Sequence, residues 1–411
     1  MQKETNRASA LAVLCLASFL VPFMGSAVNL SLPQIGASFS MGAVSQSWIA
    51  SVYLITTAIF QVPFARLADM LGRRAVFIAS LVIFALSAFM CGLSTTGAML
   101  IICRGLSGLA CAMMFGTSMA ILVSVFPPGE RGKAIGINTS VVYFALASGP
   151  FFGGMLTHHL GWRSLFFLVG FLGAVVAVLS PVILKGEWRE ARGEHFDYTG
   201  SAIYALGLLG LIFGFSALPG IMGFVCVGLG AVCLTGFVFY ELRDRQPVFD
   251  VRIFAGNRLF GLSSLSAFLN YSCVSAVAFM MSLYLQYVRG FTPQGAGLIL
   301  IVQACVQCAV SFYAGRLSDR RDPSRFASLG MMIIAAGLSG LIFVGRSTPL
   351  LFIIVLLVLL GIGFGLFSSP NSTVIMGSVS KKYYGQASAT MGTMRLTGQA
   401  FSMGIATMAI S

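Results

Sequence analysis

Long apolar stretches recur along this chain at the length of a membrane-crossing helix, and they restrict its fold more than any other feature. A helix needs roughly 20 consecutive, mainly apolar residues to cross a bilayer. Thirteen stretches reach that length, over residues 9–32, 46–65, 75–95, 98–125, 134–158, 164–184, 200–218, 221–241, 259–288, 295–314, 326–345, 349–377 and 385–411. Only 9% of the residues are charged, against about a quarter in a typical soluble domain. The sequence therefore predicts an all-α membrane protein with about 13 spans.

The basic residues lie almost entirely on one side of the predicted membrane. Of the 25 Lys and Arg residues, the turns after odd-numbered spans carry only Arg163, Arg289 and Arg346. Two more, Arg104 and Arg395, lie inside spans, and the N-terminal tail and the remaining turns carry the rest. Because positively charged loops stay in the cytoplasm, we expect a cytoplasmic N-terminus. The net charge of +13 then reflects topology, so the expected partner is a lipid bilayer and not a nucleic acid.

Two short patterns repeat at nearly the same offset. Residues 65–69, ARLAD, recur as GRLSD at 315–319, and RGKA at 131–134 resembles YGQA at 384–387. Transporters are often built from such internal repeats. We therefore expect two homologous parts with an insertion between them: an N-terminal six-helix bundle (1–184), two inserted linker helices (185–255) and a C-terminal bundle (256–411). By analogy with the first bundle, the second lacks its sixth span and ends after five.

The first repeated motif extends through residues 65–74 and reads ARLADMLGRR. It resembles the cytoplasmic signature of the major facilitator superfamily, Gly-x-Leu-Ala-Asp-Arg-x-Gly-Arg-Arg, with Ala65 and Met70 as departures. The resemblance implies a major facilitator fold of two pseudo-symmetric bundles, in which this motif latches the halves during alternating access. The implied gating residues are Arg66, Asp69, Gly72, Arg73, Arg74, Arg316 and Asp319. Physically, Asp69 can pair with Arg73 or face a helix N-terminus; a solvated charged turn is the alternative.

A glycine-rich motif in the fifth span consists of Gly149, Pro150, Gly153 and Gly154. Such glycines allow a neighbouring helix to approach closely, and proline bends a helix; a generic packing patch is the alternative. The motif resembles that of the 14-helix drug:proton antiporter branch, as do the segments 196–200, 247–254 and 284–293. The resemblance implies a monomeric secondary transporter of the bacterial inner membrane. It would export drugs or metabolites by alternating access, with protons as one candidate coupling ion.

One feature of that branch is missing, namely a carboxylate inside the membrane. Met24 occupies the position where the branch has an Asp in span 1, and none of the 12 acidic residues falls at membrane depth. Arg104 and Arg395 are the charges there, and ionisable residues in a membrane interior indicate function by default. We therefore hypothesise an anionic or neutral substrate. The alternative function is an importer or uniporter of such a metabolite without proton coupling, and the alternative role for either Arg is structural.

Polar and aromatic residues on the spans that line the cavity in this fold are the candidates for substrate binding. They are Ser26, Asn29, Phe115, Asn270, Tyr271, Tyr284, Gln286, Gln303, Gln307 and Asn371. Hydrogen bonds between helices are the alternative role for each, because polar groups need partners inside a membrane. The pattern shows no catalytic constellation at depth, and no Cys/His spacing typical of a metal site. We therefore predict a transporter without cofactor or metal, and not an enzyme.

Overall fold

The computed structural model of this chain describes residues 6–410, apart from the side chains of residues 43, 44, 274, 275, 293 and 410. Lys3 and Glu4 of the N-terminal tail, and Ser411, lie outside the described residues. Within the described range the chain forms α-helices, one π-helical turn and one 3₁₀ turn, and no strand. The predicted all-α fold is confirmed.

Eight long helices form the first part of the chain: α1 (Arg7–Phe39), α2 (Ala43–Leu71), α3 (Arg73–Gly92), α4 (Gly97–Val125), α5 (Arg131–Leu160), α6 (Trp162–Ile183), α7 (Tyr198–Ser216) and α8 (Ile221–Glu241). A short helix, α9 (Arg252–Gly256), then precedes α10 (Arg258–Leu283), which ends in a π-helical turn (Tyr284–Val288). The remaining helices are α11 (Pro293–Ser318), α12 (Pro323–Leu341), α13 (Leu350–Gly377) and α14 (Tyr384–Ile410), the last preceded by a 3₁₀ turn (Lys381–Tyr383).

Within the described residues, twelve helices are long and apolar enough to cross a membrane. The chain is therefore a multi-pass membrane protein. The thirteenth predicted span forms a helix, α14, but α14 is not among the twelve. Arg395 and Gln399 of α14 line the cavities described below. These polar residues lower the hydropathy of α14, and the prediction of about 13 spans agrees with twelve strongly apolar helices together with α14.

The helices extend past the apolar stretches, and this changes where the first repeated motif lies. The sequence pattern placed residues 65–74 in a loop after span 2. In the structure α2 continues to Leu71, so that Arg66 and Asp69 occupy its last turns. The chain turns only at Gly72, whose φ of 122° is a conformation that favours glycine. The motif therefore comprises the end of α2, a sharp turn at Gly72 and the start of α3.

Helices α1–α6 pack against one another, as do α10–α14; we call these groups the first half and the second half. The halves meet where α5 packs on α11 and where α14 packs on α2 and α4. Helices α7 and α8 form a hairpin, in which α7 contacts α2 and α14. This arrangement creates a seam between the halves that contains the candidate site.

Candidate functional site

One end of the seam is held together by Asp319, at the C-terminus of α11. Its carboxylate accepts hydrogen bonds from the backbone N–H groups of Gly132 (2.6 Å) and Lys133 (2.7 Å), in the first turn of α5. These groups have no partner within their own helix, and the N-terminus of a helix carries a partial positive charge. Glu130, the N-cap residue of α5, makes no capping bond with its own side chain. An acid from the second half therefore caps a helix of the first half.

Asp69 occupies the matching position at the end of α2. Its Oδ1 pairs with Arg73 Nε at 2.6 Å, and both side chains are buried. Its carboxylate also lies against Gly385, at the start of α14, so closely that a Cβ there would come within 2.7 Å of Oδ1. Arg73 in turn donates to the backbone carbonyl of Lys381 in the second half (3.1 Å). Both copies of the repeated motif thus contact a helix start in the opposite half. We call this end of the molecule the latch end.

The loop between α6 and α7 wraps around the same corner. The backbone N–H of Ala191 donates to the carbonyl of Asp69 (3.0 Å). Glu194 pairs with Arg66 of α2 and also lies 3.7 Å from Lys382 Nζ. Because Lys382 belongs to the second half, Glu194 adds an ionic bridge between the halves. Arg66 is 4% exposed and its Nε has no hydrogen-bond partner among the described residues.

A cavity of about 180 Å³ lies between the halves, with walls from both of them. We call it the central cavity. Tyr143 of α5 and Ser368 of α13 join across its wall, with 2.6 Å between their hydroxyl oxygens. Ser388 of α14 donates to the carbonyl of Phe115 on α4 (2.6 Å). Since each of these bonds crosses the seam, separating the halves would break them and enlarge the cavity.

A second cavity of about 260 Å³ lies among α1, α2, α4, α5 and α14, and we call it the side cavity. Arg395 and Gln399 line both cavities. The Arg395 guanidinium carbon lies 4.4 Å from the centroid of the Phe115 ring, which is within the range of a cation–π contact. Along the described walls of the two cavities there is no Asp or Glu. A positive charge therefore faces this space without an acidic neighbour on the walls.

Arg104 contacts the side cavity but is held more firmly than Arg395. It is 1% exposed, its Nε donates to the carbonyl of Ile49 (3.1 Å), and its guanidinium carbon lies 4.1 Å from the centroid of the Tyr53 ring. One nitrogen, Nη1, has no hydrogen-bond partner among the described residues. Arg104 therefore joins α4 to α2, and Arg395 is the better placed of the two charges to meet a solute.

The glycine-rich motif packs α5 against α1. A Cβ on Gly149 would collide with Ser26, and a Cβ on Gly153 would lie 2.9 Å from the Ala27 Cα atom. Gly154 is less constrained, because its Cβ would meet only the Leu30 side-chain tip. Close helix approach at this motif is thus a structural fact, whereas its role in antiport stays a prediction.

Five of the ten predicted substrate-binding residues lie on the cavity walls: Ser26, Asn29, Phe115, Tyr271 and Gln307. Three others hydrogen-bond elsewhere: Tyr284 to the Gly345 carbonyl, Gln286 to Ser282, and Asn371 to the Ser263 carbonyl. Asn270 contacts the Met331 sulfur, and the backbone carbonyl of Gln303 packs against Gly361. These five do not line either cavity, and a role for them in substrate binding stays a prediction.

Sequence reasoning missed several polar wall residues, notably Gln61, Asn138, Tyr143 and Ser368. Gln61 is fully buried, and both of its amide atoms lack a hydrogen-bond partner among the described residues. Asn138 Oδ1 is also unpartnered. Because buried polar groups are normally satisfied, these unpartnered atoms stand out at the seam, where the Gln61 amide packs against Gly392 of α14. A Gln in the middle of an apolar span was a signal that could have identified Gln61.

Comparisons with known proteins agree with this architecture. Riboflavin transporter RibZ of Clostridioides difficile is 27% identical over 399 residues, covering 96% of this chain and 86% of the relative. Multidrug resistance protein Stp of Mycobacterium tuberculosis is 29% identical over 408 residues, covering 97% of this chain and 75% of the relative. The crystal structure of the human organic anion transporter MFSD10 shares the fold, with a TM-score of 0.70 and 16% identity, over 98% of this chain and 93% of that one.

The sequence profile of the Major Facilitator Superfamily matches residues 14–403, which is nearly the whole chain. The match includes both copies of the repeated motif and the walls of both cavities. The chain belongs to the Major Facilitator Superfamily and is a membrane transporter, not an enzyme.

Proposed function

We propose that this protein exports small anionic or neutral organic compounds across the bacterial inner membrane by alternating access. The observation that supports the substrate class is Arg395, which lies on the wall shared by the two cavities without an acidic residue along the described walls. An anionic group on the solute would pair with this guanidinium. The uncharged part of the solute could hydrogen-bond to the unpartnered amide atoms of Gln61 and Asn138.

The same charge disfavours a lipophilic cation. A cationic solute would have to enter a space of low dielectric constant beside Arg395, where like charges repel strongly. No carboxylate on the described walls offsets this repulsion. The absence of an acid in these walls also removes the usual carrier of a coupling proton, so the proposal leaves the driving ion open.

The latch end supports alternating access as the mechanism. Asp319, Asp69 and Glu194 each join the halves through charged contacts. Such contacts have two discrete arrangements, made or broken, and interfaces of this kind behave as bistable elements. Because the basic loops lie at this end, the positive-inside rule assigns it to the cytoplasm. The structure would then be the state closed to the cytoplasm.

The direction of transport is proposed from a sequence resemblance, because the names of two relatives do not specify one. Stp is named for multidrug resistance and RibZ for riboflavin transport. Export follows from the resemblance of the motif at Gly149 and Pro150 to that of antiporters. Uptake without proton coupling is the second candidate, and it is favoured by the missing carboxylate.

Everted membrane vesicles test the proposal directly, because an exporter accumulates its substrate inside them. The panel contains lipophilic cations, neutral amphiphiles and organic anions, each with and without a protonophore. We expect accumulation of anions or neutral compounds above the level in vesicles that lack the protein. Accumulation restricted to cations would contradict the substrate class, whereas uptake only by right-side-out vesicles would contradict the direction.

A further inference from the structure

A pair of acidic residues lies away from the cavities, where the inserted hairpin of α7 and α8 meets the latch end. Asp197 is the N-cap of α7, and its Oδ1 accepts a hydrogen bond of 2.8 Å from Gly200 N–H. Glu241 is the last residue of α8. Asp197 Oδ2 and Glu241 Oε1 both reach the position that a Cβ on Gly200 would occupy. The two carboxyl groups therefore face one another over a glycine.

Glu241 is deeply buried and its oxygens are unsatisfied. The residue is 1% exposed, and neither Oε1 nor Oε2 has a well-formed hydrogen bond among the described residues, although the backbone N–H of Phe249 lies close to the carboxyl group. Asp197 Oδ2 is unpartnered as well. An ionised carboxylate that is buried without a counter-ion is very costly, and two facing carboxylates cannot both be ionised without a cation between them. Because Glu241 is fully buried and Asp197 half-buried, this arrangement favours a bound cation or a proton.

The charged and polar neighbours do not supply that cation. Tyr240 donates its hydroxyl to Asp197 Oδ1 (3.4 Å), which leaves Oδ2 unpartnered. Asp244 and Arg66 lie within electrostatic range of Glu241, together with the backbone N–H of Phe249. Asp244 adds negative charge, and Arg66 is already paired with Glu194. The local balance of charge around the two carboxyl groups is therefore negative.

We infer that Glu241 and Asp197 bind one proton between them, with the Glu241 carboxyl group donating to Asp197 Oδ2. A proton fits a gap that a single glycine keeps open, and it satisfies one unpartnered oxygen on each residue. The site then carries one negative charge in place of two. It also ties the end of α8 to the start of α7, next to the Arg66–Glu194–Lys382 bridge across the halves. Loss of the proton would create a second buried charge within reach of Arg66 and weaken that bridge.

Infrared difference spectroscopy of the purified protein tests this site, because a protonated carboxyl group absorbs apart from a carboxylate and shifts in D₂O. The comparison is wild type minus Glu241→Gln at one neutral pH. Gln keeps the shape of Glu and can donate to Asp197, so we expect it to fold. We expect a single protonated-carboxyl band that is present in the wild type and missing in Glu241→Gln. Asp197→Asn should shift the frequency of that band, whereas Glu190→Gln, an exposed acid in the preceding loop, should leave it unchanged.

Two results would overturn the inference. One is a wild-type spectrum with no protonated-carboxyl band that depends on Glu241. The other is thermal stabilisation of the wild type by sodium chloride over choline chloride, lost in Glu241→Gln, which would assign the gap to a sodium ion. If Glu241→Gln does not fold, the protonated-carboxyl band is compared between the wild type and Asp197→Asn. A shifted band supports the shared proton, and an unshifted band contradicts it.

Discussion

Oδ1 of Asp319 accepts a hydrogen bond of 2.6 Å from the backbone N–H of Gly132, and this bond crosses from one half of the transporter to the other. Gly132 is the residue that allows it, because a Cβ there would come within 2.8 Å of the same oxygen. On the opposite side, the Asp69 carboxylate packs equally closely against Gly385, while its hydrogen bond goes to Arg73. The internal repeat in the sequence therefore corresponds to two contacts between the halves. In each, an acid at the end of one helix lies against the start of a helix in the opposite half, and we call this pair of contacts the lock.

Replacing Asp319 by Asn should weaken this lock. A hydrogen bond to a charged group contributes about 1.5–3 kcal/mol, and Asn can accept only one of the two bonds and without the charge. We expect the closed state to lose about tenfold in population relative to the open state, since 1.4 kcal/mol corresponds to that factor. Cys308, whose sulfur lies 3.3 Å from the Ser140 carbonyl at the seam, reports opening through its rate of maleimide labelling.

The labelling is measured in a variant in which Cys308 is the remaining cysteine. Asp322→Asn is the matched control, because Asp322 lies in the same loop but its bonds stay within the second half: it accepts from Ser324 N–H at the start of α12 (2.9 Å) and lies 3.8 Å from the exposed Arg325. We expect faster labelling in Asp319→Asn alone. Equal rates in the two variants would show that the bonds from Asp319 do not hold the halves together.

Two neighbouring glycines of α5, Gly153 and Gly154, provide a prediction and its matched control. Gly153→Ala places a Cβ 2.9 Å from the backbone of Ala27, so the helices must separate. We expect this variant to lose about 1–3 kcal/mol of stability, as overpacked sites do. Gly154→Ala meets only the tip of Leu30, which is exposed and can rotate. Both changes gain the same helix propensity, so Gly154→Ala should be neutral or slightly stabilising. Thermal unfolding in detergent separates them, and similar losses in both would contradict the packing account.

Arg104 should matter for stability more than for the choice of substrate. Arg104→Lys removes the planar contact with the Tyr53 ring and the Nε donor to Ile49. We expect a loss of about 1–2 kcal/mol, because the Lys ammonium keeps part of the cation–π attraction but cannot replace the planar contact and the Nε hydrogen bond together. Tyr53→Leu should cost a similar amount and should not add to Arg104→Lys, while Tyr53→Phe keeps the ring and should cost less. Full additivity of Tyr53→Leu and Arg104→Lys would refute the coupling of these two residues.

Hydropathy predicted the helices well because the thickness of a bilayer sets a nearly constant span length. Helix ends were missed where a helix continues into the polar interface, as α2 does through Asp69. The cavity was predicted only in part. Arg395 is conspicuous as a charge within an apolar stretch, whereas Tyr143 and Gln61 face the cavity from helices that the family analogy did not assign to it. Packing between helices determines which side of a helix faces the seam, and this side cannot be recognised from a single sequence.

Glu241 illustrates the same limit at the end of a helix. An acidic residue that closes an apolar span normally contacts water, so the sequence gives no reason to single it out. Gly200 and Phe249 lie against it in the fold, and the sequence pattern of α8 does not indicate these contacts.

Uptake of a labelled organic monoanion into proteoliposomes, compared among wild type, Arg395→Lys and Arg395→Gln, tests the central claim most directly. The anion is the best substrate found in the vesicle panel, and matched thermal unfolding verifies that the variants fold alike. We expect Arg395→Gln to reduce uptake at least tenfold and Arg395→Lys to retain part of it, because Lys keeps the charge. Unchanged anion uptake in Arg395→Gln, or wild-type transport confined to lipophilic cations, would contradict the account.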